Sequence, residues 1–477
     1  SGEPLAEAGL QGVIQAEPDR LTIEQPRGTL RLASYGPNGT GLESALSAQA
    51  IEVETATNRV AVSALRIDIG AAQLRSELRV DADEDGLIIE GPLEMIEADP
   101  RQLIESLGVA VPLTRDPEVL KSMQGRADFG YAAGVLEIKG LQWRLDDTTV
   151  RGSAFVRQSG SPTFEIDLAI DRLDLDCYLS PQIAPVQKTS GDEASTGGGS
   201  QNGRIAEVLR DLDLDGRLRV DTLKAGGIDV GGLEIGVKAD PGIVKLDPVA
   251  LSAFGGKITA PARIDATGER PVMMLEPRVS DVDMEALLAH FLGIRQLTGR
   301  GSGKARLQAS GSQLDALIAT LAGSYDFNVR DGTLVGADLW YEMQKAAALA
   351  TGKMPPTGRG TGRTEFQRLD ADGRISDSTL RNRNFRFVSD FFKVKGAGDV
   401  HYDDGRLDLK FEARLTRAPE GSVKGFDFDR LEGFEIPVAV GGTLTEPEVS
   451  IDTAKLIESA ATKAIEEKLD ELIDVDE

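Results

Sequence analysis

Proton transfer, nucleophilic attack and metal binding each need particular side chains, and this chain of 477 residues has few of them outside its carboxylates. Its histidines are His290 and His401, and its one cysteine is Cys177. No intrachain disulfide can form, and no Cys/His zinc cluster is available. His401 stands in the strand-like run Val400-His401-Tyr402 and His290 in an apolar helical stretch. Neither has a nucleophile or a ligand at motif spacing. Gly301-Ser302-Gly303-Lys304 hints at a phosphate loop but lacks the earlier Gly and the Ser/Thr after the Lys. Asp211, Asp213, Asp215 and Gly216, and likewise Asp81, Asp83, Asp85 and Gly86, open like calcium loops. Their twelfth positions are Thr222 and Pro92 where a bidentate Glu is required, so hairpin turns are the better reading. Among 78 acids nothing singles out a catalytic pair. The expectation is a non-enzyme with no catalytic residue, no metal and no cofactor.

The elements that carry these residues are strands. Leu407, Leu409, Phe411, Ala413 and Leu415 alternate with Arg406, Asp408, Lys410, Glu412 and Arg414, one face apolar and the other charged. The same period of two runs through Leu65, Ile67 and Ile69, and through Phe164, Ile166, Leu168 and Ile170. Leu233, Ile235, Val237 and Ala239 repeat it, as do Ile258, Ala260, Ala262 and Ile264. Buried parallel strands would read as unbroken apolar runs, so antiparallel sheet with one wet face is expected. Asp85-Gly86, Asp215-Gly216, Asp331-Gly332, Asp372-Gly373 and Asp404-Gly405 supply the positive φ values that tight hairpins need. Glycine is abundant, at 53 residues, while aromatics make up only 5%, which favours many turns over large helical layers.

Short helices are expected at 100–107, 205–212, 283–292, 313–321 and 339–350. An amphipathic one starts near Thr453, with Leu456, Ile457, Ala460, Ala464, Ile465, Leu469 and Leu472 on one side. Pro181–Gly203 includes a Gly/Ser-rich run and reads as an exposed linker or loop; a second loop spans Thr351–Thr364. The expected organisation is a β-rich segment 1–182, a linker 183–203, and a second β domain 204–477 ending in the helix. No run of apolar residues is long enough to span a bilayer, and the opening Ser1-Gly2-Glu3-Pro4 has no signal-peptide character. A formal net charge of -25 argues against nucleic acid as a partner and against unaided adhesion to an anionic membrane.

An ordered series of segments is more specific than any single motif. It runs Leu212-Asp213-Leu214-Asp215-Gly216-Arg217-Leu218, then Asp240-Pro241-Gly242-Ile243-Val244, then Ala253-Phe254-Gly255-Gly256-Lys257-Ile258. It continues through Leu297-Thr298-Gly299, Gly323-Ser324-Tyr325-Asp326-Phe327 and Asp331-Gly332-Thr333-Leu334, and ends at Ile436-Pro437-Val438 and Gly442-Thr443-Leu444. The series resembles the C-terminal region of the AsmA family of Gram-negative envelope proteins. The resemblance implies an elongated, curved, mainly antiparallel sheet of the repeating β-groove type found in bridge-like lipid carriers. It also implies a periplasmic location and an inner-membrane attachment through an N-terminal anchor absent from this sequence. The implied work is moving phospholipid towards the outer membrane and supporting its integrity, with phospholipids and outer-membrane components as partners.

A trough is physically sensible, because a long one-sided sheet must cover its apolar face or fill it. Acyl chains would lie on Leu233, Ile235, Val237, Ile258, Ile264, Leu407, Leu409, Phe411, Ala413 and Leu415. Three other readings stand beside it: an ordinary sandwich core with no ligand, a scaffold for outer-membrane protein assembly that works through sheet edges, and an enzyme acting on envelope glycans.

Overall fold

In the computed structural model of the chain, the described residues are 6–32, 42–83, 86–158, 162–180, 212–350, 354, 360–416 and 435–451. They form strands joined by short turns, with a few short helices, so the mainly β reading holds. The chain divides into two compact units, Ser1–Leu251 and Ser252–Glu477.

In the first unit, β1 (Ala6–Ala16) pairs with β2 (Arg20–Leu32), which pairs in turn with β3 (Leu42–Ser47) and β4 (Ala50–Glu54). Both of the latter pair with β5 (Arg59–Ile69). An antiparallel meander then runs through β6 (Ala72–Asp83), β7 (Gly86–Ala98), β8 (Met123–Ala132), β9 (Val135–Leu145), β10 (Thr148–Arg157) and β11 (Thr163–Asp174). After β11 the alternation of direction stops. β12 (Asp213–Ala225) pairs with β11 in parallel, Thr163 beside Asp213 through Asp174 beside Lys224. A parallel neighbour cannot be reached by a tight hairpin and needs a long return, and the Gly/Ser-rich stretch of the sequence lies in that return. The stretch itself, 183–203, is outside the described residues, as is most of the expected helix at 205–212. β13 (Ile228–Asp240) restores antiparallel pairing, and β14 (Ile243–Ala253) follows.

The second unit opens with short strands. The expected single run through Ile258 and Ile264 is instead two strands, β15 (Gly256–Thr259) and β16 (Ala262–Asp265). Pro261 lies between them and has no N–H to donate to a ladder. β15 pairs with β18 (Arg278–Asp283) and β16 with β17 (Val272–Leu275). Both partners pair along one edge of β19 (Arg300–Ser310). A meander continues through β20 (Ala322–Val335), β21 (Arg363–Ser376), β22 (Thr379–Val388), β23 (Phe392–His401), β24 (Leu407–Leu415), β25 (Glu435–Gly442) and β26 (Pro447–Ile451).

The Asp-Gly pairs divide into two classes. Asp404-Gly405 lies in the β23–β24 turn, and Gly86 opens β7 beyond the β6–β7 turn. The other three lie inside strands: Asp215-Gly216 in β12, Asp331-Gly332 in β20 and Asp372-Gly373 in β21. Asp331 has φ 50, and the β21–β22 register shifts between Asp372 and Gly373, so positive φ and register slippage serve bulges here rather than turns. Several tight hairpins use other residues, such as Asp377-Ser378 (φ 52 and 54) and Ala133-Gly134 (φ 49 and 77).

The helices sit at strand ends. α1 (Pro100–Ser106) is capped by Asp99, whose carboxylate accepts from the N–H groups of Arg101 and Gln102, and Pro100 occupies a first-turn position that needs no N–H. α2 is one turn, Leu175–Tyr178, and was not expected. α3 (Met284–Leu292) is capped by Asp283 and ends at Gly293 with φ 69. α4 covers Leu314–Ala319 and α5 Leu339–Ala350. The expected helix from Thr453 lies outside the described residues.

Candidate functional site: an apolar sheet face

Register turns the one-dimensional alternation into a surface. In the first unit, residues paired across neighbouring strands form the row Val60, Val80, Ile89, Tyr131, Leu136, Val156, Phe164, Leu214 and Ala239. A second row on the same face is Gly91, Phe129, Ile138, Ala154, Ile166, Gly216 and Val237. A third is Leu141, Gly152, Leu168, Leu218 and Ile235, and a fourth is Ile67, Leu74, Met95, Gly125, Trp143, Val150, Ile170, Val220 and Leu233. None of these positions carries a charge. The parallel β11–β12 junction does not interrupt the rows, because a strand's side-chain period is the same in either direction.

The intervening positions are mostly charged. Arg79, Glu90, Gly130, Glu137, Phe155, Glu165, Asp215 and Lys238 make one such row on the other face. Ion pairs lace this side, among them Arg59–Asp81 and Arg219–Asp167, both at 2.7 Å. Exposed pairs of this kind contribute about 0–1 kcal/mol each, so they hold the face in water rather than hold the fold together.

The apolar face is half-covered only. Leu233, Ile235 and Val237, expected as lining, all sit on it and are all partly exposed. Leu136 retains 37% of its surface. Among the described residues, a packed cluster covers the face at one end, where Ala72, Met95 and Ala98 meet Leu74, Leu103 of α1, Met123 and Trp143. Beyond it most positions of the rows across β9–β13 stay partly exposed, while Val220 and Ala239 are buried.

The second unit treats the same kind of face differently. Its row Val282, Gly301, Val329, Leu369, Phe387, Val394, Ala413 and Ile436 is buried. α5 packs against this core through Met343, which is buried, and through Trp340, whose ring lies 6.1 Å from that of Phe391. The start of α5 is pinned: Asp338 accepts from the Tyr341 N–H at 2.8 Å, and the Leu339 N–H donates to Thr364 Oγ1 at 3.0 Å. The adjacent row, Gly303, Phe327, Ala371, Phe385, Gly396, Phe411 and Val438, sets large rings beside small residues, with the Phe385 and Phe411 centroids 4.6 Å apart.

The remaining expected lining residues therefore have unlike surroundings. Leu407, Ala413 and Leu415 are buried in the protein, while Leu409 and Phe411 are half-exposed. Ile258 and Ile264, both partly exposed, stand on separate short strands. The half-exposed rows of β5–β12 lie outside the expected lining, although the patterns through Leu65–Ile69 and Phe164–Ile170 mark two of their strands.

Anchoring groups at the strand ends are structural. Asp146, in the β9–β10 turn, accepts from the N–H groups of Leu120, Lys121 and Ser122 and from the Tyr178 hydroxyl at 2.9 Å. Burial works to raise its carboxyl, but those donors outweigh it and hold the group below its ordinary range. Burial, then Asp146 itself, pushes the Tyr178 hydroxyl up to about 12. Asp176 of α2 accepts from Gly226 and Gly227 N–H, at 2.6 and 2.8 Å, and so ties the helix to the β12–β13 turn. Among the described residues there is no group of carboxylates, His and Cys arranged to hold a metal, and no helix long and apolar enough to cross a membrane.

Clefts are present on the charged side. One of about 860 Å³ in the first unit and one of about 780 Å³ in the second run over strand backbone between polar side chains. In each, residues of one apolar row and the charged positions that alternate with them form the lining.

Comparison with known proteins agrees with the ordered segments. The profile of the AsmA family matches residues 90–385. The chain belongs to the AsmA family. Protein AsmA of Escherichia coli (strain K12) is 21% identical to it over 336 residues, 68% of this chain and 53% of that protein. The chain thus spans about half the length of the curated relative it matches. The AsmA family is not a family of enzymes, which is in keeping with the scarcity of chemistry-bearing side chains.

Proposed function

We propose that this AsmA-family chain is part of a periplasmic lipid carrier associated with the inner membrane. In this reading it holds phospholipid acyl chains on the apolar face of its sheet and supports phospholipid delivery to, and integrity of, the outer membrane. The observation that carries the reading is the unbroken, charge-free face of the first unit, half-exposed at most of its positions across β9–β13 and backed by a charged face. Apolar patches of that extent are rare on soluble surfaces and mark binding sites. Each methylene of an acyl chain buried there contributes about 0.8 kcal/mol, without any directional contact. A carrier of that kind needs chain-shaped apolar area and no reacting group.

A scaffold role rests on a different feature. Among the described residues β1 pairs only with β2 and leaves its outer edge open, with Val13 and Ile14 63% and 65% exposed. Such an edge can take an added strand from a client.

Native mass spectrometry of the purified chain separates the two. Phospholipid masses released from the folded protein are expected for the carrier. A chain that is lipid-free even after incubation with phospholipid vesicles, yet captures unfolded outer-membrane protein, would overturn it in favour of the scaffold.

A further inference from the structure

One cleft on the polar face of the second unit is not charged like the chain as a whole. The chain has a net charge of -25, and the cleft of the first unit follows it, with Glu137, Glu165, Asp167, Asp215 and Asp247 outnumbering its cations. The cleft over β22–β26 reverses the balance: Arg383, Arg386, Lys395 and Lys410 line it with the single carboxylate of Glu412.

The register makes this arrangement costly. Arg386 of β22 stands directly opposite Lys395 of β23. Like charges at directly opposed positions destabilise a sheet. The nearby acids do not pair with Arg386. Glu412 is taken by Lys395 at 3.1 Å. Asp370 is the register partner of Arg386 on the other side, but its two oxygens accept from Arg368 Nε at 2.9 and 2.7 Å. Asp372 accepts from the Asn384 side chain at 3.1 Å. Arg383, Arg386 and Lys410 have no ion pair among the described residues.

We propose that this cleft binds phosphate groups. Its volume, about 780 Å³, is in the range of small-ligand sites, and a phosphate offers several oxygens that guanidinium forks can take bidentately. The site faces away from the apolar rows, so the phosphate is not that of a lipid lying on them. It belongs either to a soluble anion or to a lipid head group presented by a bilayer surface. The site does not depend on what the apolar face carries.

The test uses the whole chain, inorganic pyrophosphate as the soluble probe, and vesicles of phosphatidylcholine with and without phosphatidylglycerol. Binding of either probe is expected, weakened at least tenfold in Arg386→Gln/Lys410→Gln and unchanged in Arg217→Gln/Lys238→Gln of the first-unit cleft. Pyrophosphate binding identifies a soluble ligand; binding confined to phosphatidylglycerol vesicles identifies a bilayer head group. The double variant is also expected to melt higher than the parent in probe-free buffer, because removing two cations relieves repulsion. Absence of binding to both probes, or full binding by the double variant, would overturn the site. Vesicle binding through the apolar face would survive the double variant, so the two readings fail separately.

Discussion

The two units apply one strand pattern to opposite ends. In both, register lines up apolar residues into rows on one face and charged residues on the other. In the second unit a row running from Val282 to Ile436 is buried under partners that include α5, with Phe387 stacked at 5.9 Å on Phe392 and 5.0 Å from Phe366. In the first unit the described cluster covers only the Met95 end, and Ile166, Leu218 and Ile235 stay half-exposed. Alternation specifies a sheet with an apolar side; what closes that side is a separate decision made by the connections. The segment between β20 and β21 includes a helix that folds back onto its own sheet, whereas the turns between β8 and β11 are too short to do so.

That contrast predicts how the units respond to lost side chains. Phe387→Ala should be the most damaging change, at about 3–5 kcal/mol, the usual cost of removing a buried aromatic. Denaturant unfolding would show a large fall in midpoint for the second unit, and a loss under about 1 kcal/mol would contradict the burial. Asp146→Asn should cost less, about 1–3 kcal/mol, because it weakens a charge-assisted set of bonds while keeping the shape. The sign with pH follows from the direction of the shift. A carboxyl held below its ordinary value in the folded state contributes stability above its unfolded pKa of about 3.9, and that contribution fades as pH falls through the folded value. Parent and Asp146→Asn should therefore converge in stability in strong acid; a gap that persists unchanged there would show that the carboxylate charge is not the cause.

Leu218→Ala should cost only about 1 kcal/mol, since a half-exposed side chain on an uncovered face leaves no sealed cavity. A loss as large as that of Phe387→Ala would mean that something covers the face. Arg219→Ala, on the charged side, should fall within about 0.5 kcal/mol despite the 2.7 Å pair with Asp167, because the pair is exposed and screened.

Much of this was legible in the residues. The alternation through Phe164–Ile170 and Leu233–Ala239 marks strands and faces, and Asp99-Pro100 and Asp283 mark helix starts. Three things were not legible, for physical reasons. Asp-Gly permits positive φ, but a bulge at Asp331 requires it as much as a turn does. The parallel β11–β12 pair repeats the side-chain period of an antiparallel one, so direction leaves no trace in the pattern. Burial of Leu407, Ala413 and Leu415 against exposure of Leu409 and Phe411 on the same strand depends on what packs across them, which no single strand encodes. The cationic cleft escaped for a related reason, since Arg386 and Lys395 become neighbours only through register.

The central claim is that lipid lies on the uncovered apolar face of the first unit, and site-specific crosslinking tests it most directly. A photoreactive residue at Ile235 should capture phospholipid acyl chains when the chain is isolated from cells or incubated with phospholipid vesicles. The same residue at Glu234, one position along β13 and on the charged face, should capture none. Equal capture at both positions, or none at Ile235 in a folded protein exposed to lipid, would contradict the account.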